Sequence, residues 1–298
     1  MRSLILVTAA AMLIGAAPAK KPQTPTDVVA AAPASAWRTI DPDDLLVMDL
    51  QGGGRIVIQL APLFAQVHVA NIKALARTGY WTGATVYRVQ DNYVAQWGLN
   101  ESEKPWPAGV NPKPPAEYTR ALKGLSVTPL GSPDPYAPAA GFAAGWPMAY
   151  SPKAGWATGA HCYGTVGVGR GLEDTGTGGE LYAIIGHAPR HMDRNLAVVG
   201  RVIEGIERLS SLPRGTEALG FYKEKAQYVP IATIRLASEI PAADRPTFEY
   251  LDTGSASFAE YLRIRSHRHD DFYRQSADGV DLCNVQVPVR RKVAGERG

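Results

Sequence analysis

The chain has 298 residues, of which 45% are hydrophobic and 20% charged, as in ordinary globular proteins and unlike disordered ones. Its 30 glycines and 23 prolines exceed average usage, and inside a helix each glycine costs about 1 kcal/mol and each proline about 3 kcal/mol. The composition therefore excludes a helix bundle and predicts mainly β structure. The net charge of +3, from 31 basic and 28 acidic residues, argues against nucleic acid or an anionic membrane surface as the main partner.

Residues 1–19 have the order of a secretory signal peptide. Arg2 precedes an apolar run over 4–17, and the small residues 17–19 supply a cleavage site. The run is shorter than the roughly 20 residues needed to span a bilayer, and no later apolar stretch reaches that length. We therefore expect a periplasmic or secreted protein without stable membrane insertion, with a retained N-terminal anchor as the alternative.

Periodic patterns begin after residues 20–36, which are rich in alanine, proline, threonine and lysine and predict a flexible linker. Apolar residues at helical spacing predict a helix that starts near Pro62 and stops at Gly79. Short β-rich runs and one more short helix or turn complete a predicted domain over 37–239. The predicted strands are 45–50, 55–60, 85–89, 93–96, 164–169, 180–185, 197–202 and 229–237, and the second helix or turn is 203–211.

Two segments lie outside this regular pattern. Residues 102–159 contain 11 prolines and 7 glycines and show no sustained period of 2 or 3.6, so they predict a long loop inserted in the domain. Its many aromatic residues favour an ordered excursion. Residues 240–298 form a C-terminal extension that we expect to be partly ordered and to pack back on the domain.

Several segments together resemble the cyclophilin-type peptidyl-prolyl cis-trans isomerases. The similarity covers roughly residues 45–238 and keeps the family's order of motifs. It implies a closed eight-stranded antiparallel β-barrel capped by two helices, an isomerase that needs no cofactor, and proline-containing segments of unfolded or folding proteins as partners. The segments that carry it are 55–60, 69–76, 80–89, 93–98, 164–170, 179–184, 191–193 and 198–205.

The resemblance places one arginine, Arg88, at the catalytic position. Resonance gives an X-Pro amide a rotation barrier of about 18–20 kcal/mol, so uncatalysed isomerisation takes about 10–100 s. A guanidinium that donates toward the prolyl nitrogen favours the twisted, non-conjugated amide and lowers this barrier without covalent chemistry.

The other predicted site residues also follow from the resemblance. Gln96 matches the amide that hydrogen-bonds the substrate backbone, and apolar side chains match the lining of the proline pocket. Glu180 stands where the family has glutamine, which leaves the rate and substrate range open. The predicted substrate-binding residues are Tyr93, Val94, Gln96, Glu180, Tyr182, Met192 and Leu196.

Two further functions compete with the isomerase. One is a catalytically weak module that binds proline peptides through the same pocket, and the other is a barrel that binds carbohydrate or another small ligand. A zinc site at His161, Cys162, His187 and His191 is disfavoured, because Pro189 interrupts the spacing and no compact ligand motif is present. We expect a monomer with no metal.

The two cysteines, Cys162 and Cys283, permit a disulfide in an exported chain. A bridge would tie the extension to the domain and stabilise it by roughly 4–5 kcal/mol in the chain-entropy model. Two unrelated buried thiols are the alternative, because pairing depends on a Cα separation below about 7 Å.

Overall fold

The computed structural model describes residues 22–100, 104–187 and 189–292, so the predicted signal peptide lies outside the described residues. In chain order the strands are β1 Trp37–Thr39, β2 Leu45–Leu50, β3 Arg55–Leu60, β4 Thr85–Val89, β5 Val94–Gly98, β6 Arg120–Ala121, β7 Thr128–Pro129, β8 Ala139–Ala143, β9 Trp146–Ser151, β10 Trp156–Gly159, β11 Thr165–Val168, β12 Leu181–Ile184, β13 Val198–Glu204, β14 Val229–Leu236, β15 Phe248–Leu251 and β16 Val289–Arg291. The helices are α1 Pro25–Ala31, α2 Gln66–Arg77, α3 Glu207–Ser210 and α4 Ala256–Ser266.

Eight strands form a closed barrel in the order β11-β12-β5-β4-β14-β2-β3-β13. Every neighbouring pair is antiparallel. Each of these strands coincides with a strand predicted from the sequence, so the predicted fold class is confirmed. The last barrel strand, β14, lies between the early strands β2 and β4.

Alternate residues of β2 face two different cores. Leu46 and Met48 point into the barrel, where they join its main apolar cluster. Leu45 and Val47 point outward and pack with Phe248 of the C-terminal extension. Because both faces of the strand are covered here, residues 45–48 are all apolar instead of alternating with polar residues.

Helix α2 closes one end of the barrel. Val69, Ile72 and Leu75 are buried in the same cluster as the barrel interior. The helix ends where predicted, because Gly79 adopts a left-handed φ of 62° and the amides of Gly79 and Tyr80 bond back to the last turn. It begins four residues later than predicted, at Gln66, and the second predicted helix is reduced to the single turn of α3.

The insertion is not the loop that its composition predicted. It contains a five-stranded sheet in the order β6-β10-β9-β8-β7. Pro129 is tolerated because β7 is an edge strand, where a missing N–H breaks no ladder. Gly141 is required in β8, because a Cβ there would lie 2.5 Å from the carbonyl oxygen of Thr128 on the neighbouring strand.

The described part of 20–36 also differs from the expected flexible linker. Helix α1 begins with a capping box, in which Thr24 and Asp27 satisfy each other's backbone amides. Val28 of this helix is buried in a cluster with Phe258 and Leu262 of α4. Cys283 of the extension forms a disulfide with Cys162. Helix α1 and the C-terminal extension therefore pack against each other. No helix within the described ranges is long and apolar enough to cross a membrane.

The capping box of α1 gives the first test. Thr24→Ala removes the side-chain oxygen that accepts the amide of Asp27. We expect the free energy of unfolding to fall by about 1 kcal/mol, as for other N-cap losses, in a chemical denaturation curve. Thr26→Ala, on the exposed surface of the same helix, is the matched control and should leave it unchanged within about 0.5 kcal/mol.

Candidate active site

Four neighbouring barrel strands bring the central site residues into one cross-strand row. Arg88 of β4 pairs with Gln96 of β5, Gln96 pairs with Tyr182 of β12, and Tyr182 pairs with Gly167 of β11. Directly opposed residues on adjacent strands point to the same face of a sheet. The row therefore gathers a cation, an amide and an aromatic ring that are separated by up to 94 positions in sequence.

A β-bulge in β4 brings one more side chain to this face of the sheet. The register shifts between Val86 and Arg88, so Tyr87 is the extra residue. Successive strand residues normally point to opposite faces, yet the side chains of Tyr87 and Arg88 both reach Gln96. The bulge thus allows the hydroxyl of Tyr87 and the guanidinium of Arg88 both to hydrogen-bond with the side-chain amide of Gln96.

Three acceptors hold the guanidinium of Arg88. Its Nη1 donates to Oε1 of Gln96 at 2.8 Å, its Nη2 donates to Oε1 of Gln90 at 2.6 Å, and its Nε donates to the carbonyl of Leu219 at 2.7 Å. The ring of Phe221 lies 5.4 Å from the guanidinium carbon. Burial lowers the pKa of Arg88, with nearby tyrosine hydroxyls opposing this effect, but an arginine stays protonated.

The loop that supplies the third acceptor adopts a constrained backbone. Leu219 has a left-handed φ of 57°, which is uncommon for a residue with a side chain. The following Gly220 packs so closely that a Cβ there would lie 2.5 Å from the Cα of Gln90. The loop is thereby fixed against the strand that carries Arg88, and the side chain of Leu219 is left 65% exposed beside the site.

A chain of hydrogen bonds orients Gln96. Its Nε2 donates to the hydroxyl of Tyr87 at 2.6 Å, and that hydroxyl donates to Oε2 of Glu180, also at 2.6 Å. The other carboxylate oxygen accepts the backbone amides of Leu99 and Asn100. The carboxylate can lie this close only because the neighbouring strand residue is Gly98, where a Cβ would be 1.9 Å from Oε2.

Beside this polar row lies an apolar group, which we call the Tyr182 cluster. Val94, Tyr182, Ile184 and Met192 form its buried part, and Tyr93 and Leu196 pack against them. The hydroxyl of Tyr93 points at Sδ of Met192, 3.0 Å away, and its ring stacks on the exposed His191 at a centroid distance of 5.8 Å. The cluster therefore offers an apolar surface adjoining the guanidinium.

The comparisons with known proteins identify the family to which this architecture belongs. The family described as cyclophilin type peptidyl-prolyl cis-trans isomerase/CLD matches residues 45–236. The chain is a cyclophilin. The predicted family and isomerase class are therefore confirmed.

The individual relatives have low sequence identity to this chain. The probable peptidyl-prolyl cis-trans isomerases of Brucella suis and Brucella abortus are each 23% identical over 188 residues, which covers 60% of this chain and 76% of theirs. The crystal structure of cyclophilin AquaCyp293 from Hirschia baltica has a TM-score of 0.68 at 23% identity and covers 92% of this cyclophilin and 100% of that chain. This last similarity extends beyond the barrel, so the fold of the added segments is shared too.

The predicted site residues of this cyclophilin lie in two groups. Arg88 and Gln96 are joined directly, and the five predicted apolar residues all belong to the Tyr182 cluster. The carboxylate of Glu180 accepts three protein donors, and its role in substrate binding stays a prediction. The sequence reasoning missed Tyr87, Gln90 and the loop around Leu219. Only Gln90 could have been found from spacing, two residues after Arg88 on the same strand face.

Two of the four residues considered for zinc, Cys162 and His161, have other partners. Cys162 is in the disulfide, and His161 bonds to Asp193 and Tyr182. Over 22–100, 104–187 and 189–292, no group of three or more histidine, cysteine or acidic side chains is arranged to hold a metal ion.

A cavity of about 600 Å³ lies away from the cross-strand row. It is bounded by β13, by α1 and by the C-terminal extension, with Arg201, Tyr261 and Cys283 in its wall, and Arg88 does not line it. This cavity therefore does not coincide with the cross-strand row.

The buried carboxyl of Glu180 predicts a specific pH dependence. Burial raises its pKa above 4.5, although hydrogen bonds from Tyr87 and two backbone amides oppose the rise. A group whose pKa is raised in the folded state stabilises the fold at pH values below its unfolded pKa. This contribution is lost as the pH rises through its folded-state pKa. We therefore expect the wild type to lose unfolding free energy relative to Glu180→Gln as the pH rises from the unfolded pKa of about 4.3 through the raised folded pKa.

The measurement is a series of denaturation curves on both proteins across that range. Glu173→Gln, at an exposed position on the preceding glycine-rich segment, is the control and should run parallel to the wild type. A difference between wild type and Glu180→Gln that stays constant with pH would contradict the assignment.

Proposed function

We propose that the protein isomerises X-Pro bonds of peptides bound across the cross-strand row and that Arg88 is its catalytic residue. The observation that carries this is the fixed guanidinium beside an apolar cluster. Its three hydrogen bonds to described residues use three of its five N–H groups, so two remain for a substrate. Because the donor is already fixed, no free energy is spent on reorienting it when the amide twists.

The chemistry requires only that the twisted amide bind better than the planar one. Twisting removes resonance, and the prolyl nitrogen becomes pyramidal with a lone pair that can accept a hydrogen bond. A guanidinium N–H aimed at that lone pair stabilises the transition state and gains little from the planar ground state. The planar fork of arginine can be held in one direction by Gln90, Gln96 and the carbonyl of Leu219.

Peptide recognition is assigned to the neighbouring groups. The Tyr182 cluster takes the proline ring by apolar contact. Gln96 keeps one Nε2 proton free after its bond to Tyr87, and this proton donates to a substrate backbone carbonyl. Glu180 acts through Tyr87 as a positioning residue that fixes the amide orientation, and it does not touch the peptide.

The location of the protein is proposed on separate grounds. The signal-peptide pattern of residues 1–19 and the disulfide between Cys162 and Cys283 both fit an oxidising compartment outside the cytoplasm. The substrates would then be proline-containing segments of proteins that fold in the periplasm or after secretion.

The test is a protease-coupled assay on a proline tetrapeptide with purified residues 20–298. We expect the cis-to-trans rate to rise linearly with protein concentration from the uncatalysed rate, which corresponds to a time of about 10–100 s. If the protein binds the peptide in calorimetry but leaves the rate unchanged, it is the binding module and the catalytic proposal is wrong.

A further inference from the structure

A buried polar chain leads away from the floor of the Tyr182 cluster. The hydroxyl of Tyr182 lies 3.0 Å from Nε2 of His161, and Nδ1 of His161 lies 2.9 Å from Oδ1 of Asp193. Nε of Arg190 then donates to Oδ2 of Asp193 at 2.5 Å, and its Nη2 donates to Asp134 at 3.0 Å. The side chains of His161, Asp193, Arg190 and Asp134 are each at most 6% exposed.

The charge on Asp193 fixes the direction of its bond to His161. Burial disfavours the ionised form of Asp193, but His161 and Arg190 outweigh it and lower its pKa. An ionised Asp193 accepts only, so Nδ1 of His161 carries a proton. Nε2 of the same ring lies 3.0 Å from the hydroxyl of Tyr182, so this buried hydroxyl has one partner of defined position at the end of its side chain.

The bond to His161 adds a polar restraint to the ring of Tyr182, which otherwise has apolar neighbours in the Tyr182 cluster. Tyr182 lies across from Gly167, and a Cβ at Gly167 would be 2.2 Å from the hydroxyl oxygen. The ring thus occupies the space that a side chain on β11 would fill. Its imidazole partner is nearly parallel to it, with an interplanar angle of 16°. Without the bond to His161, the hydroxyl would be left buried and unsatisfied, which favours another ring position.

We propose that His161 is a positioning residue for the isomerase, because it holds the ring of Tyr182 as the floor of the proline-binding cluster. Asp193 and Arg190 orient the imidazole, and Asp134 connects the chain to the inserted segment between β7 and β8. Through Asp134, the insertion therefore helps to hold the position of Tyr182. This inference rests on the proposed function of the cross-strand row.

A double-mutant cycle tests the link. His161→Phe leaves the Tyr182 hydroxyl without its hydrogen-bond partner, and we expect kcat/KM for a proline peptide to fall about tenfold, mainly through KM, as for loss of a buried hydrogen-bond partner. Tyr182→Phe should cost less, because no hydroxyl remains to be satisfied. Adding His161→Phe to Tyr182→Phe should then cost under about threefold, which makes the two effects strongly non-additive.

His68→Phe is the matched control. His68 is also fully buried and bonded to a carboxylate, Glu117, but it has no bond to the Tyr182 cluster. This variant should lower the unfolding temperature and leave KM unchanged. A merely structural role for His161 would give the same pattern as His68 and would overturn the inference.

A second variant keeps the test decisive if His161→Phe does not fold. His161→Gln retains an oxygen acceptor at the position of Nε2, so kcat/KM should stay within about threefold of the wild type. A tenfold loss in this variant at an unchanged unfolding temperature would contradict the inference. An inactive wild type would instead refute the proposed function itself, and an active wild type with an unaffected His161→Phe refutes only the role of His161.

Discussion

Replacing Arg88 by alanine is expected to lower kcat/KM for proline-peptide isomerisation by about 10²–10³-fold, the usual cost of losing one preorganised transition-state donor. The loss should fall on kcat, because the planar substrate gains little from the guanidinium. The side chain is only half-buried and its partners are neutral oxygens, so the fold should survive. The protease-coupled assay and a thermal unfolding curve measure the two effects on the same sample.

Two further variants make this result specific. Arg88→Lys keeps the charge but loses the fork that bonds Gln90, Gln96 and Leu219 together, so we expect most of the activity to be lost as well. Arg263→Ala removes an exposed arginine on α4 that pairs with Glu260, and it should leave kcat/KM unchanged. An Arg88→Ala protein with wild-type kcat/KM would end the assignment of Arg88 as the catalytic residue.

Loss of the disulfide is expected to cause the largest change in stability. The bond joins Cys162 and Cys283 across a sequence separation of 121, for which the chain-entropy model gives about 4–5 kcal/mol. Cys283→Ala should lower the free energy of unfolding by that amount in urea. Because the cluster shared by α1 and α4 is separate from the barrel core, we expect the extension to unfold first while isomerase activity persists.

Reductant supplies the control for this experiment. Dithiothreitol should shift the wild-type unfolding midpoint to that of Cys283→Ala and should have no effect on the variant. Thiol titration should find two free thiols in the reduced wild type after denaturation and none before reduction. A midpoint that is the same in oxidised and reduced wild type would show that the bond contributes nothing.

The barrel could be predicted from sequence because its strands carry local signals. β2 and β3 are apolar runs around a glycine turn, and the helix between β3 and β4 ends at a glycine that can adopt positive φ. The insertion lacked such signals, because its strands have two to six residues and are set by pairing with one another. The capping box at Thr24 was present in the sequence but was hidden by the linker-like composition around it.

The site was only partly predictable for a different reason. Arg88 and Gln96 follow from family motifs, and their contact follows from the register of one hairpin. Tyr87 was missed because strand alternation places it on the opposite face, and only the bulge brings it to Gln96. Leu219 acts through its backbone carbonyl, so no side-chain pattern in the sequence reports its role.

The place of β14 in the barrel has a consequence for how the chain acquires its structure. Residues 229–236 hydrogen-bond to β2 and to β4, which are made much earlier during synthesis. Until they arrive, the early strands keep two unpaired edges, and pairing over such long sequence separations is slow. The barrel therefore cannot close until residue 236 of 298 has been synthesised, and until then the unpaired strand edges make the nascent chain dependent on protection from aggregation.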